Sequence, residues 1–155
     1  MRQPDVGADI AALACHALAE TMEKARAARL TRYQHILLRL GELIAYAECA
    51  GAFARRAARF AEGKFHEKAH RRFHADGLAA LARIFAREAA LKVASDGLAW
   101  VVGAGGIEEH ELAAFEAATG CTAIHRAQAG LIRDMDLAAD AIYNREAART
   151  EAARV

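Results

Sequence analysis

Proline, serine and aromatic side chains are scarce in this sequence, and their scarcity argues against helix interruptions, serine-hydrolase chemistry and strands. The one proline, Pro4, lies near the N-terminus, so no proline interrupts a helix over the rest of the chain. The one serine, Ser95, lies inside a helical pattern, so the nucleophile turn of serine hydrolases has no visible basis. Aromatic residues make up only 6% of the chain, whereas alanine, the best helix former, dominates its 55% hydrophobic fraction. This composition predicts helices rather than strands.

Neither one sign of charge nor long apolar runs dominate the chain. Its 21 basic and 20 acidic residues nearly balance, which removes the bulk attraction that nucleic-acid binding requires, so we expect no nucleic-acid partner. No run of about 20 uncharged apolar residues is present, and the start does not resemble a signal peptide, so we expect a cytoplasmic chain. Cys15, Cys49 and Cys121 lie far apart without a C-x-x-C pair, which predicts reduced thiols that act as ordinary packing residues.

Apolar residues recur at steps of three and four along most of the chain, as one face of a helix requires. The pattern predicts a first helix from a cap at Asp5 to about Arg29 and a second from a cap at Thr31 to Gly63. It predicts a third helix from about residue 66 to the glycine-rich turn at 103–106, a short helix ending at Gly120, and a last long helix from a cap at Thr122. Residues 95–97 are a candidate kink. We predict an all-α fold, an up-and-down bundle of four to five long antiparallel helices in which residues 1–155 form one domain.

The same periodicity predicts which side chains are buried. In the second helix the predicted buried stripe includes Ile36, Leu37, Leu40, Leu43 and Ile44. In the last helix the predicted buried side includes Ile124, Leu131, Met135, Ala138 and Ile142.

Three histidines share one flank of the predicted third helix. His66, His70 and His74 are four residues apart, which stacks their imidazoles along the helix. Two such histidines can share a zinc or nickel ion, but a metal site normally needs three or four converging ligands, and Glu67 is the only carboxylate at helical spacing nearby. We interpret the three histidines as a partly solvated strip that is positively charged at mildly acidic pH, with metal binding as the alternative.

Basic residues gather around the turn between the second and third predicted helices. They outnumber Glu62 and Glu67 there, and phenylalanines are interleaved with them. Basic residues beside aromatic residues suit contact with an anionic lipid surface or an acidic partner, and a solvated hairpin tip is the alternative. The candidate contact residues are Arg55, Arg56, Arg59, Lys64, Phe65, Lys68, Arg71 and Arg72.

The C-terminal half is more acidic. Asp134 and Asp136 are too close in sequence to share one helix face, and we predict that they lie on a solvated face, with a salt bridge to Arg126 or Arg133. The glycines at 103–106 follow a predicted helix rather than a strand, so they predict a helix-ending turn and not a phosphate-binding loop. We expect no catalytic residue and no cofactor in this chain alone.

Two segments resemble a known family. Residues 34–44, a leucine-rich and arginine-containing run, followed downstream by residues 66–68, resemble part of the extra C-terminal helical domain of very-long-chain acyl-CoA dehydrogenases. Residues 128–143 are similar to the tails of bacterial dehydrogenases of the same group. The resemblance implies a helical domain that packs on a flavin-dependent dehydrogenase body. The family's catalytic glutamate and flavin-contacting residues belong to domains without a counterpart here, so the resemblance implies no catalytic residue and places FAD in a partner or another domain.

We therefore expect a non-catalytic interaction or oligomerisation module of an acyl-CoA dehydrogenase system in fatty-acid oxidation. Its expected partner is the dehydrogenase body or a second copy of the chain. One alternative is a helical bundle that binds a small ligand, either an acyl chain or a metal ion. The other is peripheral attachment to an anionic membrane surface through the basic residues around the second turn.

Overall fold

Helices make up the regular structure of this chain. A computed structural model describes residues 5–64 and 73–143, and within them there is no β-strand, which confirms the predicted all-α helical bundle. The helices are α1 (Ala8–Ala27), a 3₁₀ helix (Leu30–Arg32), α2 (Gln34–Ala61), α3 (Ala75–Gly103), α4 (Glu109–Ala118), α5 (Cys121–Arg126) and α6 (Leu131–Tyr143).

The central element is α3, which packs against α1, α2 and α6. Its 29 residues span about 43 Å at 1.5 Å per residue, so it is long enough to lie along all three neighbours. Half of the residues that it buries are alanines, whose small side chains allow the neighbouring helices to approach closely. These are Ala79, Ala80, Ala82, Ala86, Ala89, Ala90 and Ala94.

Glycine at position 97 brings α1 and α3 together. A Cβ atom at Gly97 would overlap the side chain of Thr21, which is fully buried on α1. α3 continues as one helix through the candidate kink at residues 95–97 to Gly103, and Gly97 provides room for the neighbouring helix α1.

The helix ends differ from the predicted ones where the backbone takes a left-handed conformation. Arg29 has a φ of 56°, and the 3₁₀ helix that follows it delays the start of α2 to Gln34. Gly130 has a φ of 84°, which side chains other than glycine rarely adopt, and it separates α5 from α6. The predicted last helix is thus two helices, and six α-helices replace the expected four to five within the described residues.

None of the three residues predicted to cap a helix occupies an N-cap position. The residues at the N-cap positions are Gly7 for α1, Tyr33 for α2 and Gly120 for α5, so Asp5, Thr31 and Thr122 lie elsewhere. In α4, by contrast, Glu108 and Glu111 form a reciprocal capping box, which accounts for the acidic first turn of that helix.

Candidate functional site

The predicted histidine strip falls only in part on described residues. His74 is exposed and occupies the N-cap position of α3, whereas His66 and His70 lie outside the described residues. Over residues 5–64 and 73–143, no group of three or more His, Cys, Asp or Glu side chains is placed to hold a metal ion. Metal binding by the strip stays a prediction.

The predicted basic surface is likewise divided. Arg55, Arg56 and Arg59 are exposed on the last turns of α2, and Lys64 forms a 2.8 Å ion pair with Glu62. The remaining predicted contacts, Phe65, Lys68, Arg71 and Arg72, lie outside the described residues. Among the helices in the described part of the chain, none is both long and apolar enough to cross a membrane.

One side of α2 is exposed and largely apolar. The helix buries Leu40, Leu43 and Ala47 and continues that buried side with Ala50, Ala54 and Ala57, so the opposite side has no neighbour from α1 or α3. We call this opposite side the α2 outer face; it consists of Leu37, Leu38, Gly41, Ile44, Ala45, Glu48, Cys49, Ala52, Arg55 and Arg59, all exposed.

Two side chains of this face correct the predicted core. Leu37 is 51% exposed and Ile44 is 40% exposed, although the apolar stripe predicted both as buried. The stripe was wider than the surface that α1 and α3 cover, because a helix packed in one groove buries only about one side. The surplus apolar residues therefore lie on the surface.

A second exposed apolar surface lies on α6. Ile132, Met135, Ile142 and Tyr143 are exposed and fall within one half of the helix circumference, and we call them the α6 outer face. Met135 and Ile142 were predicted as buried, and both are about half exposed. The side of α6 that does face α3 buries Asp134 and Ala138.

Asp134 is the centre of a buried ion-pair network, which overturns its prediction as a solvated residue. Its side chain accepts hydrogen bonds from Arg83 Nε at 2.9 Å, Arg83 Nη2 at 2.5 Å and Arg87 Nη1 at 2.5 Å. Burial raises the pKa of Asp134, but the hydrogen bonds from Arg83 and Arg87 and their positive charges together outweigh burial and hold this pKa below its ordinary value. The same hydrogen bonds raise the pKa of Arg83.

The two arginines also bind backbone carbonyl groups. Arg87 donates from Nε to the Ala127 carbonyl at 2.7 Å and from Nη2 to the Ala129 carbonyl at 2.9 Å, and Arg83 donates to the Asp5 carbonyl. The network therefore joins α3 to the turn before α6 and to the N-terminal segment. With its donors directed at the protein itself, it fixes structure and does not form an open anion site.

A cavity of about 520 Å³ opens between the end of α3 and the beginning of α2. This volume falls within the range of small-molecule sites, about 300–1,000 Å³. α3 ends at the glycine-rich residues 103–106, as predicted, and Gly103, Ala104 and Gly105 contribute to the cavity wall. The lining residues are Ala28, Leu30, Tyr33, His35, Ile36, Trp100, Gly103, Ala104 and Gly105.

The cysteines depart from the packing role predicted for them. Cys15 and Cys49 are exposed, on α1 and α2 respectively, and Cys121 is partly buried at the start of α5. Only Cys121 packs against the core, where it contacts the cluster around Ile124. All three are free thiols, as predicted.

Comparison of the chain with protein-family models, curated proteins and solved structures finds no match. The relationship to acyl-CoA dehydrogenases stays a prediction that rests on residues 34–44, 66–68 and 128–143.

Proposed function

We propose that this chain is a non-catalytic helical docking module that binds other proteins through the α2 outer face and the α6 outer face. One observation carries the proposal. Eight large apolar side chains are exposed within the described residues, and all eight lie on α2, on its N-cap residue Tyr33, or on α6. Apolar exposure scattered over a surface needs no explanation, whereas concentration on two helices is typical of interaction sites.

The physical reason is the hydrophobic effect. Each exposed leucine or isoleucine gains about 25 cal/mol for every Å² of apolar surface that a partner removes from water. Leu38 and Ile132 are 69% and 70% exposed, so a partner helix that covers them recovers most of the apolar area available at each position. An amphipathic helix laid along such a face is a common mode of recognition.

The resemblance supplies the partner for the α6 outer face. Residues 128–143, which are similar to bacterial acyl-CoA dehydrogenase tails, contain all of α6. We propose that α6 docks on the body of a flavin-dependent acyl-CoA dehydrogenase, with FAD bound by that partner. On this proposal the module contributes contacts to fatty-acid oxidation and no catalytic group.

Native mass spectrometry of the chain, alone and mixed with a purified acyl-CoA dehydrogenase body, tests this function. We expect a complex that carries FAD, and we expect Met135→Lys and Ile132→Lys to weaken it at least tenfold because each places a charge in the apolar contact. Ala113→Lys adds a lysine to an exposed position of α4, outside both outer faces, and is the matched control. Absence of any complex at micromolar concentration, with self or with the dehydrogenase, contradicts the proposal.

The cavity beside Trp100 supports a second candidate, binding of an acyl chain. Leu30, Ile36 and Trp100 provide an apolar wall, and Trp100 is the chain's one tryptophan, so its fluorescence reports occupancy directly. Titration with laurate is expected to change this fluorescence with saturation. Ala28→Phe, which fills the cavity from its edge, is expected to abolish the change, and an unchanged response in that variant refutes binding at this site.

A further inference from the structure

We propose that the cavity beside Trp100 binds a fatty acid with its hydrocarbon chain inward and its carboxylate at the mouth, where His35, Arg29 and Arg32 attract it. This inference rests on the second candidate function, binding of an acyl chain, and names the charge and the orientation of the ligand. It follows from the burial, the backbone conformation and the charge of the residues around the cavity.

The inner end of the cavity is apolar. Leu30 is 6% exposed, and Ile36 and Trp100 are partly buried. Leu30 belongs to the core cluster that contains Leu40 and Phe115, and the other two side chains pack against it. A hydrocarbon chain that contacts these side chains removes apolar surface of both molecules from water. The inner end therefore favours the chain of an amphiphile over its head group.

The mouth of the cavity is polar. Tyr33 and His35 are exposed on the α2 side, and their rings are in contact, with centroids 5.9 Å apart. Gly103 and Gly105 are exposed on the α3 side, and a Cβ atom added at either glycine would meet no other atom within 4 Å. Polar groups at one end of an apolar pocket fix the orientation of a ligand. An amphiphile bound here therefore keeps its head group at the mouth.

The charge at the mouth is positive. None of the nine lining residues is acidic, and His35 is the one among them that can carry a positive charge. Residues 28–36, on the α2 side, also contain Arg29 and Arg32, both exposed, and no Asp or Glu. Residues 100–105, on the α3 side, contain no charged residue. This local excess of positive charge attracts an anionic head group and repels a cationic one.

The backbone beside the cavity takes an unusual conformation at Arg29. Its φ of 56° is the one positive φ at a non-glycine position in the described residues, and arginine rarely adopts it. The turn that begins there buries Leu30 and exposes Arg32 and Tyr33, so one turn supplies both the apolar inner end and the basic mouth. Backbone strain of this kind clusters at ligand sites, and its position here supports the proposal.

Titration of Trp100 fluorescence with three ligands of equal chain length tests the inference. Laurate, 1-dodecanol and dodecylammonium carry negative, neutral and positive head groups, and each is used below the concentration at which it aggregates. The natural chain is expected to bind laurate most tightly and dodecylammonium most weakly. The dissociation constants of successive ligands are expected to differ at least about threefold, which is within the range of exposed charge pairs.

His35→Glu places a negative charge at the mouth, and a glutamate in the first turn of a helix is compatible with folding. This variant is expected to bind laurate at least about threefold more weakly and dodecylammonium more tightly, with 1-dodecanol changed by less than about twofold. His74→Glu makes the same substitution at the opposite end of α3 and is the matched control, expected to leave all three dissociation constants unchanged. Circular dichroism verifies that both variants are folded.

Equal affinity of the natural chain for the three ligands overturns this inference and leaves acyl-chain binding standing. The same conclusion follows if His35→Glu changes all three dissociation constants by the same factor. No fluorescence response to any of the three ligands overturns the acyl-chain candidate together with this inference.

Discussion

Replacing Asp134 by asparagine removes the one negative charge from a site that holds two arginines. Asp134 is 2% exposed, and Arg83 and Arg87 are 9% and 5% exposed, so water does not replace the lost charge. Removing one partner of a buried ion pair typically costs about 3–5 kcal/mol, because the remaining charges are left uncompensated. The asparagine can still accept a hydrogen bond, but its amide group meets a guanidinium group that also only donates. We therefore expect a loss of about 3–5 kcal/mol in the free energy of unfolding.

Urea unfolding followed by far-UV circular dichroism measures this loss. Typical domains are stable by only about 5–15 kcal/mol, so a shift of the expected size moves the unfolding midpoint strongly. Asp136→Asn is the matched control, since it removes the same charge from an exposed position two residues along the same helix, and it is expected to change stability by less than about 0.5 kcal/mol. Equal stability of the two variants would refute the reasoning.

The stability difference between the natural chain and Asp134→Asn is expected to depend on pH. The pKa of Asp134 is lower in the folded chain than in the unfolded chain, so the ionised carboxylate stabilises the fold above its unfolded pKa, about 3.9. This stabilisation is lost as the pH falls through the lower, folded pKa. The stability difference between the natural chain and Asp134→Asn should therefore be constant near neutral pH and shrink only in acid below about pH 4. A difference that changed between pH 6 and pH 8 would contradict this assignment.

Two further predictions concern the α1–α3 contact and the basic end of α2. Gly97→Ala should lower the free energy of unfolding by about 1–2 kcal/mol because the added Cβ atom overlaps Thr21. Thr21→Ala in the same chain should restore most of this lost stability, whereas Gly103→Ala should not destabilise because its Cβ atom meets open space. Thermal melts check all three variants. Flotation with anionic vesicles should decrease as salt rises and decrease again in Arg55→Glu plus Arg56→Glu, and flotation unaffected by the variant would exclude these residues from membrane contact.

How much of this fold the sequence predicts depends on the range of the interactions involved. The helices follow from a periodicity that operates within a few turns, and α3 was predicted to end at the glycines where it does end. The burial of Asp134 depends on Arg83 and Arg87, which are 51 and 47 positions away. No local pattern carries that information, although two arginines four residues apart in an alanine-rich helix are a signal that a distant carboxylate is needed.

On the two outer faces the error is the reverse of that at Asp134, because exposed residues were predicted to be buried. Leu37 and Ile44 satisfy the helical apolar period, and the period alone cannot distinguish a side chain that meets α1 from one that meets a partner. The number of neighbouring helices decides this, and that number becomes visible only in the assembled bundle. Four residues of the proposed docking surfaces, Leu37, Ile44, Met135 and Ile142, are thus residues at which a prediction of burial was wrong.

The ion-pair network and the docking surfaces are connected through α6. This helix packs chiefly on α3, where it buries Asp134 and Ala138 and partly buries Leu131, Leu137 and Ala141, so Asp134 supplies the charged part of a mixed contact. The carboxylate of Asp134 therefore fixes the position from which α6 presents Ile132 and Met135. The contacts of α2 with α1 and α3 do not involve the network, because they are formed by Leu43, Ala47 and other apolar residues. Asp134→Asn should accordingly weaken binding of a dehydrogenase body at α6 and leave binding at the α2 outer face unchanged under conditions in which the variant is folded, and parallel loss of both would show that the two faces are not independent.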